Sequence, residues 1–87
     1  MKTKFGFEIM DLDDGLVAVP VGDGASQFHG VLKVNGTAAE IIKLLEKDIT
    51  EDQITDALLL EYEGEKEQMM KYVHEFVETL TTEGIVE

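Results

Sequence analysis

Eighty-seven residues without a cysteine exclude a disulfide framework and a thiolate metal site, and leave room for one modest core in one domain. Seven lysines, no arginine and nineteen acids give a net charge of −12. That balance disfavours nucleic acid, whose phosphates need cations, and anionic membrane surfaces for the same reason. Residues 1–35 carry a net −2 and residues 36–87 a net −10, so the second part is a strongly negative body. Its natural partner is a basic peptide or the basic face of a larger protein, although such charge also simply keeps a small protein soluble. No apolar run approaches the roughly 18 residues of a membrane span. The N-terminal MKTKFGFEIMD lacks the apolar region of a signal peptide, so the cytoplasm is expected.

Phe7 to Leu12 alternates loosely, with Phe7, Ile9 and Leu12 toward one side. Asp13-Asp14-Gly15 is a turn signal, and Leu16 to Val21 is a second apolar run, so the two predict a hairpin. Pro20 cannot donate to a ladder and marks the end of the second strand. The glycines and small polar residues of 22–27 predict a loop. A third strand is expected over Val31-Leu32-Lys33-Val34, turning through Asn35-Gly36 into a helix. Thr37 and Glu40 have capping-box spacing, and Ala38, Ile41, Ile42 and Leu45 follow the helical period.

Thr50 and Gln53 form a second capping box, with Ile49 and Ile54 placed as a hydrophobic staple, and predict a helix over 51–62. Gly64 breaks it. A third helix is expected from Glu65 to Thr82, with the stripe Met69, Val73, Phe76, Val77 and Leu80, and Gly84 as its terminal glycine. The order is three strands and then three helices in a single α+β domain over 1–87.

The residues offer little chemistry. His29 and His74 lie on different elements and share no metal-ligand spacing. His74 can pair with Glu78 one turn on. Ser26 is the only serine and has no Gly-x-Ser-x-Gly around it. Gly22-Asp23-Gly24 lacks the lysine and following helix of a phosphate loop. No catalytic constellation is present, and no metal or cofactor is expected.

The string Val34-Asn35-Gly36-Thr37-Ala38-Ala39-Glu40-Ile41-Ile42-Lys43-Leu44-Leu45 resembles the "LNxTgaxIwxLL" signature of the PqqD-like family. Thr50 to Ile54, Leu59 to Tyr62, Val73 to Leu80 and Glu83 to Val86 resemble its later motifs in the same order, so the likeness covers nearly the whole chain. Gly36 departs from the usual glutamate, Glu40 and Lys43 from small and aromatic residues, and Tyr72 from an aspartate.

The resemblance implies a winged-helix-like fold, a three-stranded antiparallel sheet followed by a three-helix bundle. It also implies a non-enzymatic role. Such proteins bind the leader segment of a ribosomally made precursor peptide and present it to a modifying enzyme, often a radical S-adenosylmethionine protein, in peptide natural-product or quinone-cofactor biosynthesis. The leader adds as a strand beside the third strand, against the third helix. Here that places Gly30, Val31, Leu32, Lys33 and Val34 at the peptide-binding edge, with Lys66, Met69, Met70 and Val73 on the helix. Strand addition takes affinity from the main chain and specificity from side-chain pockets. Lys33 is the kind of residue that discourages unwanted edge pairing, and a Met pair suits an adaptable surface. By position alone, Met69 is core and Met70 half-exposed. A free edge can also pair with a second copy, so monomer and homodimer are both open.

Two rivals fit less well. A winged-helix DNA-binding protein would read DNA with the helix at 50–62, which carries Glu51, Asp52, Asp56 and Glu61 and no lysine. An acyl-carrier protein needs a serine at a helix start, whereas Ser26 precedes a strand.

Overall fold

The computed structural model describes residues 1–22, 24 and 30–87. The expected features at Asp23 and at residues 25–29, Ser26 and His29 among them, lie outside the described residues. Gly24, expected in a loop, has helical backbone. Among the described residues three strands, β1 (Phe7–Leu12), β2 (Gly15–Pro20) and β3 (Leu32–Val34), precede three helices, α1 (Gly36–Leu44), α2 (Glu51–Glu61) and α3 (Lys66–Thr82). The sheet is antiparallel with the order β1-β2-β3.

Register follows from turn length. Leu12 pairs with Gly15, so Asp13 and Asp14 alone make the turn. Neither has a positive φ, and Gly15, at φ +132°, absorbs the twist between the strands. Ile9 pairs with Ala18, and Ala18 with Leu32. Ile9, Ala18 and Leu32, with Phe7 and Val34, form the core side of the sheet. The alternate set, Met10, Leu12, Val17 and Lys33, faces the other way by the two-residue period. Leu12 therefore departs from the expected company of Phe7 and Ile9, from which it differs by an odd number of residues, and it is exposed.

The helices close over the core side. Ile41, Leu45, Ile54, Leu58, Val73, Leu80 and Ile85 are all but inaccessible. Each removes roughly 1.5–3 kcal/mol of apolar side chain from water, which is the main source of the fold's stability. The starts of α1 and α2 show different solutions to the same problem of orphan amides. At α2 the expected capping box is present: the Gln53 amide donates to Thr50 Oγ1 at 3.1 Å, and the Thr50 amide donates to Gln53 Oε1 at 3.0 Å. At α1 the expected box at Thr37 and Glu40 does not form. Asn35 caps the helix instead, its Oδ1 accepting from the Ala38 amide at 2.8 Å. Asparagine is among the strongest N-cap residues. With it in place Thr37 already lies inside the first turn, and Glu40 instead reaches Lys43 at 3.6 Å.

Gly84 terminates α3. At φ +78° its amide donates to Thr81 O, and the Ile85 amide donates back to Leu80 O at 2.9 Å. These two bonds make a Schellman motif, with Ile85 and Leu80 supplying its apolar contact. The chain then runs under the domain. Val86 pairs with Thr3, the Lys4 amide donates to Ile85 O, and the Glu87 amide donates to Lys2 O. Among the described residues no helix is long and apolar enough to cross a membrane.

Candidate functional site

β3 is an edge strand, and among the described residues only β2 pairs with it. It is three residues long, one shorter than expected, because Val31 lies outside the ladder. Leu32 and Val34 are half-buried against the core, while Lys33 points to solvent. Gly30 and Val31, just before the strand, are exposed, Val31 by 55%. This side thus offers main-chain groups and a short row of side chains, which is what strand addition uses.

The face of α3 that meets the end of β3 consists of Glu65, Gln68, Met69 and Tyr72, one helical stripe at i, i+3, i+4 and i+7. These four, with Asn35, Thr37, Glu63 and Gly64, line a hollow of about 260 Å³. Asn35 ties the two walls together. The oxygen that caps α1 also accepts a hydrogen bond from the Tyr72 hydroxyl at 3.3 Å. A single side-chain atom therefore fixes both the start of α1 and the position of Tyr72 above the end of β3.

The expected helix residues separate. Met69 lines the hollow and also packs on the core. Val73 is fully buried, so it supports the wall from beneath and presents no surface to a ligand. Lys66 and Met70 belong to the opposite flank. Lys66 Nζ lies 3.6 Å from Asp56 of α2, and His74 Nδ1 lies 2.9 Å from Glu51 of α2. Met70 stands between Lys66 and His74 at four-residue spacing, so the line 66-70-74 runs along the seam with α2. Lys66 also lines a neighbouring hollow of about 540 Å³ with Leu59, Leu60 and Tyr62.

Sequence reasoning missed Asn35, Tyr72, Glu63, Glu65 and Gln68. For Gln68 and Tyr72 the signal was present as a second stripe on α3 beside the core stripe, but it is polar, and apolar periodicity does not find it; Asn35, Glu63 and Glu65 lie ahead of a helix, where no period runs.

His74 sits between two carboxylates, with Nε2 3.3 Å from Glu78 Oε2 on its own helix. The hydrogen bond to Glu51, then the charge of Glu51, raises its pKa above the ordinary histidine value, with smaller contributions from Glu78 and Glu75. The two carboxylates engage opposite nitrogens of the ring and do not converge. Among the described residues no cluster of three or more His, Cys, Asp or Glu side chains could hold a metal ion. The exposed side of α2 carries Asp52, Asp56 and Glu61, the wrong sign for a phosphate backbone.

A sequence model of the family described as coenzyme PQQ synthesis protein D (PqqD) matches residues 9–86. The structure is similar to TbiB1, solved in complex with the TbiA(beta) leader peptide, at 21% identity and a TM-score of 0.72, covering 100% of this chain and 95% of that one. It is also similar to a lasso peptide synthetase B1 complexed with its leader peptide, at 21% identity and a TM-score of 0.67, covering 97% and 93% of the two chains. At this identity the likeness is one of fold. No curated protein sequence matches the chain significantly.

Proposed function

Because the chain belongs to the PqqD family, we propose that it is a non-catalytic carrier that binds the leader segment of a ribosomally made precursor peptide by strand addition and presents it to a modifying enzyme. The observation that carries this reading is the open edge of β3, whose end at Asn35 meets the Met69–Tyr72 face of α3. Two similar structures that each hold a leader peptide lend it support.

In this reading the leader pairs with the main chain of Gly30 to Val34. Lys33 keeps the empty edge from pairing indiscriminately. Met69 supplies an adaptable apolar contact, with Val73 packed behind it. Lys66, paired with Asp56 of α2, lies on the other flank of α3, with Met70 one turn on. The modifying enzyme is of radical S-adenosylmethionine type, and the work takes place in the cytoplasm, where precursors are made. The same edge can accept a second copy of the chain when no peptide occupies it.

The test is a titration of the ¹⁵N-labelled protein with synthetic leader segments from precursor genes adjacent to its own. Shifts concentrated on residues 30–34 and on Met69 to Tyr72 are expected. Uniformly unperturbed amides at these positions up to millimolar peptide would remove the reading.

A further inference from the structure

The hollow at the end of β3 has walls of two kinds. Met69 and the ring of Tyr72 give it an apolar side, and Glu63 and Glu65 stand exposed beside them. Among the described residues neither glutamate has an ion-pair partner: the adjacent Lys66 is held by Asp56 on the other flank of α3. At about 260 Å³ the hollow is smaller than the roughly 300–1,000 Å³ of a small-molecule site, and is on the scale of one long side chain.

We propose that this hollow receives a lysine or arginine side chain of the bound peptide, its aliphatic stem against Met69 and Tyr72 and its cationic head at Glu63 and Glu65. The inference rests on the leader-binding reading above and adds the residue class that one position of the leader must carry.

A peptide paired along Leu32–Val34 leaves the strand at Asn35, which is itself part of the hollow, so its next side chain enters there. Long basic side chains bury their stems on apolar surface and keep their heads in water, which is the division of these walls, and the tyrosine ring adds a cation–π face. The sign of the field is also decided by magnitude. The N-terminus of α3 has no side-chain cap and contributes about half a positive charge. Glu63 and Glu65 at the hollow bring two negative ones, so an acidic ligand side chain is repelled.

The experiment selects a displayed library of random fifteen-residue peptides on the full chain and, separately, on its Glu63→Gln/Glu65→Gln variant. Both substitutions are at exposed positions. Enriched peptides are then mapped by amide shifts. Support requires a basic residue at one fixed place relative to the segment that perturbs Leu32–Val34. That preference must vanish in the variant, with affinity falling about three- to tenfold while the strand shifts persist. Edge-binding peptides without such a position overturn the proposal and leave leader binding standing. So does a diffuse excess of basic residues, which the net charge of −12 alone would produce, or a preference unchanged in the variant. Selected peptides that never perturb Leu32–Val34 remove the leader-binding reading and this proposal together.

Discussion

Replacing Asn35 by alanine removes one oxygen that accepts two hydrogen bonds, from the Ala38 amide and from the Tyr72 hydroxyl. Loss of an N-cap acceptor costs about 1 kcal/mol. The second bond is longer and lies at an exposed site, so it adds a few tenths at most. The expected destabilisation is about 1–1.5 kcal/mol, which lowers the melting temperature of a domain this size by roughly 5–10 °C. Thr37→Ala is the discriminating partner. Thr37 lies within the first turn of α1, where alanine is the better helix former, so its replacement is expected to be neutral within about 0.5 kcal/mol or slightly stabilising. Asn35→Asp keeps an acceptor at the cap and should stay close to the parent. Urea unfolding followed by circular dichroism measures all three, with an unchanged m-value as the sign that only stability moved. A cost for Thr37→Ala larger than that for Asn35→Ala would refute the assignment of the cap. The cycle that adds Tyr72→Phe then isolates the coupling across the groove.

Other outcomes follow from burial and local geometry. Leu58→Ala, at 1% exposure, should cost about 2–5 kcal/mol, whereas Leu60→Ala, two residues on at 89% exposure, should stay within about 0.5 kcal/mol in the same unfolding assay. Gly84→Ala forces a side chain onto φ +78° and should cost about 1–2 kcal/mol, read as a fall in the urea midpoint. The His74 pKa is raised in the folded state, chiefly by the hydrogen bond to Glu51. Its contribution to stability is therefore full below the unfolded value near 6.5 and is lost as pH rises through the folded value. An NMR titration of the ring should give a midpoint above that of an unstructured histidine, and Glu51→Gln should bring it down.

How much of this could be read from the chain depended on how local each feature is. The Thr50–Gln53 box and the Gly84 stop are complete within a few residues, so their spacing specifies them. The start of α1 is equally local, yet two cap candidates overlap there. Asn35-Gly36 also reads as a plain turn, and the stronger cap prevailed. Leu12 was misplaced because a loose apolar alternation hides a one-residue change of parity that the two-residue turn makes plain. The flank of α3 that meets the sheet was beyond the sequence for another reason. It depends on how α3 rolls against α2, which Asp56, Glu51 and the buried Ile54 and Leu58 set from another element. In a chain with nineteen acids, those two carboxylates look like ordinary surface. The family signature spans mainly core and capping positions, so it located the β3 edge but could not show that Tyr72, where the family has aspartate, becomes a wall of the groove.

The bonds that tie residues 2–4 to residues 85–87 have a consequence for the order of events in folding. They close a loop of about eighty residues, and against a ten-residue loop that closure costs about 1.8 kcal/mol more in chain entropy. The hairpin of β1 and β2 closes over two residues and meets no such cost. The tail is thus expected to dock late and to open early, uncovering Ile85 and Val86. Hydrogen exchange should find the amides of Lys4, Ile85 and Glu87 opening together, ahead of those in α2, as one small cooperative unit.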